Sequence, residues 1–135
     1  MKLFLEPEIA RLAALRHKPE DLAALKAINK GLTGATTTEM AVSCDEDFHR
    51  LLVCSSGNQI LKLFSASLED LSRECRTATF GHVGTARLLS STTQHEKIIA
   101  ALERRDADGS AEAMREHIEY VIRHLQQSRR RQVAG

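Results

Sequence analysis

At 135 residues, with 42% hydrophobic and 27% charged side chains, the chain is the size of one domain with an ordinary core. A formal net charge of +1 excludes the basic bias of a domain that grips nucleic acid by itself, and no apolar run approaches the ~20 residues of a membrane span. Aromatics at 4%, no Trp and only two prolines favour helices packed by aliphatic side chains over a β-sandwich.

From Leu3 to Arg16 the apolar residues Leu5, Ile9, Leu12 and Leu15 follow helical spacing. Pro7 suits only a first turn, which predicts a start near Glu6 or the cut end of a longer helix. Pro19 is a good first-turn residue for a second helix through Leu22, Leu25 and Ile28, with Gly31 as its stop. Residues 32–40 read as a loop, and a third helix follows from about Ala41 to Ser55. Gly57 ends it, and Asn58 is an N-cap for a long amphipathic helix from Ile60 to about Arg76. Phe80 to Gly84 breaks that run, and a short helix around Ala86–Leu89 follows. Thr92 or Thr93 then caps a helix through Ile98 and Leu102, and Ser110 caps the last one. No strand alternation stands out. The expected fold is all-α, an antiparallel bundle of six or seven helices.

Cys44, Cys54 and Cys75 cannot all pair within the chain and match no zinc-finger spacing, which reads as reduced thiols in a cytoplasmic protein. The chemistry concentrates at Asp45 and His49, an i, i+4 pair on one helix face beside Phe48. With the last two helices closing near Asp108, His95 lies 13 residues before the turn and His117 lies 9 after it. These are axial distances of roughly 20 and 14 Å, so the two imidazoles can meet at one level of the bundle. Three imidazoles and one carboxylate suit Zn²⁺, with Ni²⁺, Mn²⁺ or Fe²⁺ as other choices. The plainer alternative is a set of hydrogen-bonded helix histidines, with Asp45 as a cap. A di-iron carboxylate site would need a second Glu-x-x-His beside Glu46-x-x-His49, and none is present.

Several motifs, in order, resemble the FCD ligand-binding domain of FadR-type GntR transcription regulators. They are Leu5-Glu6 with Ile9-Ala10-x-Leu12-Ala13-Ala14, then Asp45-x-x-Phe48-His49, then Ser56-Gly57-Asn58. After these come His95-x-x-Ile98-x-x-Ala101-Leu102 with Asp106, and Ala113-Met114-x-x-His117-Ile118. The resemblance spans nearly the whole chain and implies an antiparallel bundle with a central cavity. It implies a divalent ion held by Asp45, His49, His95 and His117, and a small organic acid as effector. It also implies a homodimer, with operator DNA bound only through a winged helix-turn-helix domain not present in residues 1–135, and no membrane. Lys2 and Arg87 stand near family arginine positions and, with Asn58, are the effector-binding candidates. Lys2 would offer a point charge where an arginine offers a fork. The rival readings are a metal-dependent hydrolase-like enzyme and a structural dimerisation module. The first wants a general base beside a metal-bound water, and Glu46 and Asp47 are rotated off the Asp45/His49 face.

Overall fold

The computed structural model describes the backbone of residues 2–81 and 85–134, and the side chains of residues 5–81, 88–127, 130 and 133. Among the described residues there are seven helices and no strands: α1 (Lys2–Arg16), α2 (Pro19–Thr33), α3 (Thr38–Ser55), α4 (Gln59–Ser67), α5 (Glu69–Phe80), α6 (Thr85–Glu103) and α7 (Ala107–Ala134). The expected all-α bundle is what forms, but several boundaries move for identifiable reasons.

Pro7 lies inside α1, beyond its first turn, so the helix forgoes one backbone hydrogen bond there. The buried face of α1 is Ile9, Ala10, Ala13 and Ala14, while Leu15 is exposed. Small side chains there let α7 pack closely, and Ser110 Oγ donates to the Ala10 carbonyl at 3.0 Å. Ser110 is therefore a cross-helix contact. The cap of α7 is Asp106, whose Oδ1 accepts from the Gly109 amide at 2.9 Å.

Gly31 does not stop α2. The helix runs two residues further to place Leu32 in a second apolar cluster with Val42, Phe80 and Leu88. Thr37 caps α3 through the Met40 amide, so the expected long loop shrinks to a short link. The predicted long helix from Ile60 to Arg76 is broken at Leu68. Ser67 Oγ bonds back to the Phe64 carbonyl, and Glu69 and Asp70 supply the negative first turn of a new helix. By contrast, the expected break near Thr92 does not occur. Ser91 and Thr92 are buried inside a continuous α6, where Thr92 Oγ1 donates to the Leu89 carbonyl.

The main core joins α1, α2, α3, α6 and α7 through Ile9, Leu25, Phe48, Leu52, Ile98, Leu102 and Met114. At roughly 1.5–3 kcal/mol for each large apolar side chain, this cluster is the main source of stability. Buried Asp45, His49, His95 and His117 sit within the same bundle.

Candidate metal centre

Asp45 and His49 lie one turn apart on α3, whose Phe48 and Leu52 anchor the same segment in the core. His95 comes from α6 and His117 from α7. Each of the four offers one ligand atom, and these atoms all lie within 4.8 Å of one another. Phe48 stacks on the His95 ring, with centroids 4.0 Å apart and planes 6° from parallel. That stacking fixes the imidazole plane.

The outward nitrogens of the histidines have partners. His49 Nδ1 faces Glu6 Oε2 at 3.2 Å, His95 Nδ1 faces Asn29 Oδ1 at 3.0 Å, and His117 Nδ1 faces Gln94 Oε1. Asn29 Nδ2 donates to the Thr92 carbonyl at 3.1 Å, so the Asn29 oxygen must be the atom turned toward His95. An amide oxygen only accepts, which puts the His95 proton on Nδ1 and leaves a lone pair on Nε2. That Nε2 is buried without a hydrogen-bond partner among the described residues. It lies 3.3 Å from Asp45 Oδ1, a second acceptor. Two acceptors facing each other in the core repel unless a positive charge lies between them. Outward hydrogen bonds of this kind orient metal-binding histidines.

The donor set therefore fits a divalent ion. Around a tetrahedral ion with bonds of about 2.1 Å the donors stand about 3.4 Å apart, so the widest separation of 4.8 Å has to close by about 1.4 Å.

The charge balance agrees. Burial works against ionising Asp45, but His49, Arg76 and His95 outweigh it and hold the carboxyl well below its usual 3.8. Burial opposes a proton on His49 too, yet Asp45 and Glu6 raise its pKa above 6.5. Burial, with His117 next in weight, pushes His95 well below 6.5 despite Asp45. His95 is thus held neutral and ready to ligate, and His49 is the site where a proton and an ion compete.

Arg76 was not foreseen. Its Nε donates to Asp45 Oδ2 at 2.6 Å, and it is buried at the junction of α5 and α3. The break at Leu68 is what turns α5 so that Arg76 reaches this carboxylate. Asn29 was missed as well, although Leu25, Asn29 and Leu32 share the buried face of α2, where a polar side chain needs a partner.

Of the effector candidates, Asn58 caps α4, its Oδ1 accepting from the Ile60 and Leu61 amides. The side chains of Lys2 and Arg87 lie outside the described residues. His17 is an ordinary core histidine bonded to the Ala13 carbonyl, and His82 also lies outside the described residues. The three cysteines form no disulfide.

The FCD domain family matches residues 1–120. The chain belongs to the FCD domain family. It is 29% identical over 127 residues to the HTH-type transcriptional repressor NanR of Cronobacter sakazakii (strain ATCC BAA-894), covering 90% of this chain and 47% of that protein. It thus spans about half of that repressor's length. The solved structure of E. coli McbR/YncC superposes with a TM-score of 0.80 at 21% identity, over 93% of this chain and 61% of that one. That likeness shows the fold. The resemblance to the ligand-binding domain of GntR-type regulators is borne out. Among the described residues no helix is long and apolar enough to cross a membrane.

Proposed function

We propose that residues 1–135 form the effector-sensing domain of a cytoplasmic FadR-type GntR transcription regulator, and that sensing depends on a divalent metal. The observation that carries this reading is the face-to-face pair of acceptors, His95 Nε2 and Asp45 Oδ1, at 3.3 Å in the core. Zn²⁺ suits the three-nitrogen, one-oxygen set best, with Ni²⁺, Mn²⁺ and Fe²⁺ as substitutes. When bound, the ion supplies a Lewis-acidic anchor for the carboxylate of a small organic acid. Asp45, His49, His95 and His117 hold it, and Glu6, Asn29 and Gln94 keep the imidazoles aimed inward. Lys2, Arg87 and Asn58 remain the proposed effector contacts from the family pattern.

The domain works as part of a homodimer and touches operator DNA only through a separate N-terminal domain. An effector moves that equilibrium by its difference in affinity for the two packings of the bundle. A hydrolase is the weaker reading, because Glu46 and Asp47 are engaged by Arg73 and Arg50. Neither is placed as a general base.

Elemental mass spectrometry on protein purified without a tag or chelator tests the reading. About one divalent ion per chain is expected, and none in the His95→Ala/His117→Ala double variant. Chelation of the wild type is expected to lower its melting temperature by about 10 °C, from a binding contribution of about 4 kcal/mol. A wild type that takes up no metal on adding zinc overturns the proposal.

A further inference from the structure

Among the described residues, three ion pairs tie α5 to α3. The Arg50–Glu69 pair at 2.7 Å and the Arg73–Glu46 pair at 2.8 Å use arginines more than half exposed, and such pairs contribute little. The third, Arg76–Asp45, is buried, with side chains 10% and 8% exposed. It gives the two carboxylate oxygens different partners. Oδ2 accepts from Arg76 Nε at 2.6 Å. Oδ1 faces the imidazoles, 3.3 Å from His95 Nε2 and 3.6 Å from His49 Nε2. Arg76 is buried on α5 together with Thr79 and Phe80, and Phe80 packs into the second apolar cluster. That anchoring keeps the guanidinium against the carboxylate. With Oδ2 claimed, Asp45 presents one oxygen beside the nitrogens of His49, His95 and His117.

We infer that Arg76 is a positioning residue that sets the metal preference of the site by holding Asp45 to one oxygen. This deepens the proposed metal-dependent role and rests on it. Mn²⁺, Mg²⁺ and Ca²⁺ favour oxygen-rich sites of high coordination number, and a carboxylate free to bind through both oxygens serves them best. Zn²⁺ is satisfied by four donors, nitrogen among them. The charge of Arg76 repels every divalent cation alike, so charge by itself does not separate one metal from another. The occupied Oδ2 does. A role confined to docking α5 on α3 would weaken all metals by one common factor.

The zinc-to-manganese affinity ratio tests it, read by competition with a chromophoric chelator for zinc and by electron paramagnetic resonance of free Mn²⁺. Arg76→Met keeps the stem but puts a methyl group where Nε stood, which releases Oδ2. It is expected to shift the ratio toward manganese by about tenfold or more. Arg76→Gln carries its amide nitrogen at the same place along the side chain as Nε, without the charge. It is expected to leave the ratio within about threefold of the wild type. A ratio unmoved in Arg76→Met overturns the inference. So does an equal shift in Arg76→Gln, since charge and not the second oxygen would then set the preference. Should Arg76→Met fail to fold, the crystal structure of the zinc-loaded wild type decides. Asp45 on the ion through Oδ1 alone supports the inference, and both oxygens on the ion overturn it. A wild type that takes up neither metal overturns this inference together with the metal-dependent reading, whereas normal uptake with an unmoved ratio removes only the role of Arg76.

Discussion

Helices α3 and α4 follow one another in the chain and carry a similar share of apolar side chains, yet the protein treats them differently. Eight residues of α3 are buried, Asp45 and His49 among them, and none of α4 is. Phe48 on α3 is fully enclosed, whereas Phe64 on α4 is 46% exposed and Ile60 and Leu63 more so. Apolar content alone does not decide what a helix buries. What distinguishes α3 is that its buried Asp45 and His49 have counterparts on other elements: Glu6 from α1, Arg76 from α5 and His95 from α6.

The contrast is broken most directly at the two phenylalanines. Phe48→Ala should cost about 3–5 kcal/mol in denaturant unfolding, through the cavity left under His95. Phe64→Ala should cost less than about 0.5 kcal/mol in the isolated chain. A cost above about 1 kcal/mol at Phe64 that depends on protein concentration would mean that α4 is covered by a second copy in solution.

A smaller effect is expected one shell outward. Asn29→Ala removes the acceptor that fixes the His95 proton on Nδ1, and should weaken zinc binding 10- to 100-fold in a competition titration with a chromophoric chelator. The fold should survive, since Leu25 and Leu32 on either side remain buried.

The pH dependence is smaller again. Asp45 is held ionised and His95 neutral, so among these three ligands His49 is the one whose proton an ion must displace. Its pKa is raised above 6.5, so protonation sets in at a higher pH than for a free imidazole. Zinc affinity should be level above that raised pKa and fall by about tenfold per pH unit below it. A fall that starts only below pH 6.5 would show that Glu6 and Asp45 do not hold the proton. Asn58→Ala should cost about 1 kcal/mol, from the lost cap of α4. If citrate binding falls with it, Asn58 also touches the effector.

Much of this arrangement is legible in the sequence. The four clustered residues follow from helical spacing and from the distances of His95 and His117 to one turn, because both arguments use only the rise of a helix. Arg76 was invisible because it depends on a break at Leu68. That break is set by a serine bonding back to its own helix and two acids starting the next, a balance of small local terms. Thr92 misled in the other direction. Threonine is a good cap when exposed, but here its carbonyl accepts from Asn29, a residue 63 positions away. Gly31 likewise fails to end α2 because Leu32 gains more from the second cluster than the helix loses. The misses at Thr92 and Gly31 are long-range contacts overriding a local preference, whereas the one at Leu68 is local.

The hydrogen bonds around the cluster bear on timing. Through its ligands and their immediate partners the site touches α1, α2, α3, α5, α6 and α7 among the described residues. Asp45 and His117 are 72 residues apart in the chain (117 − 45). Contacts of such long sequence separation form late, because their loop-closure entropy is met only once the rest of the chain is in place. The site is thus complete only when all six of these helices are in place. An ion held as proposed is shared by side chains of three helices, so its rate of exchange is expected to report on local opening among them.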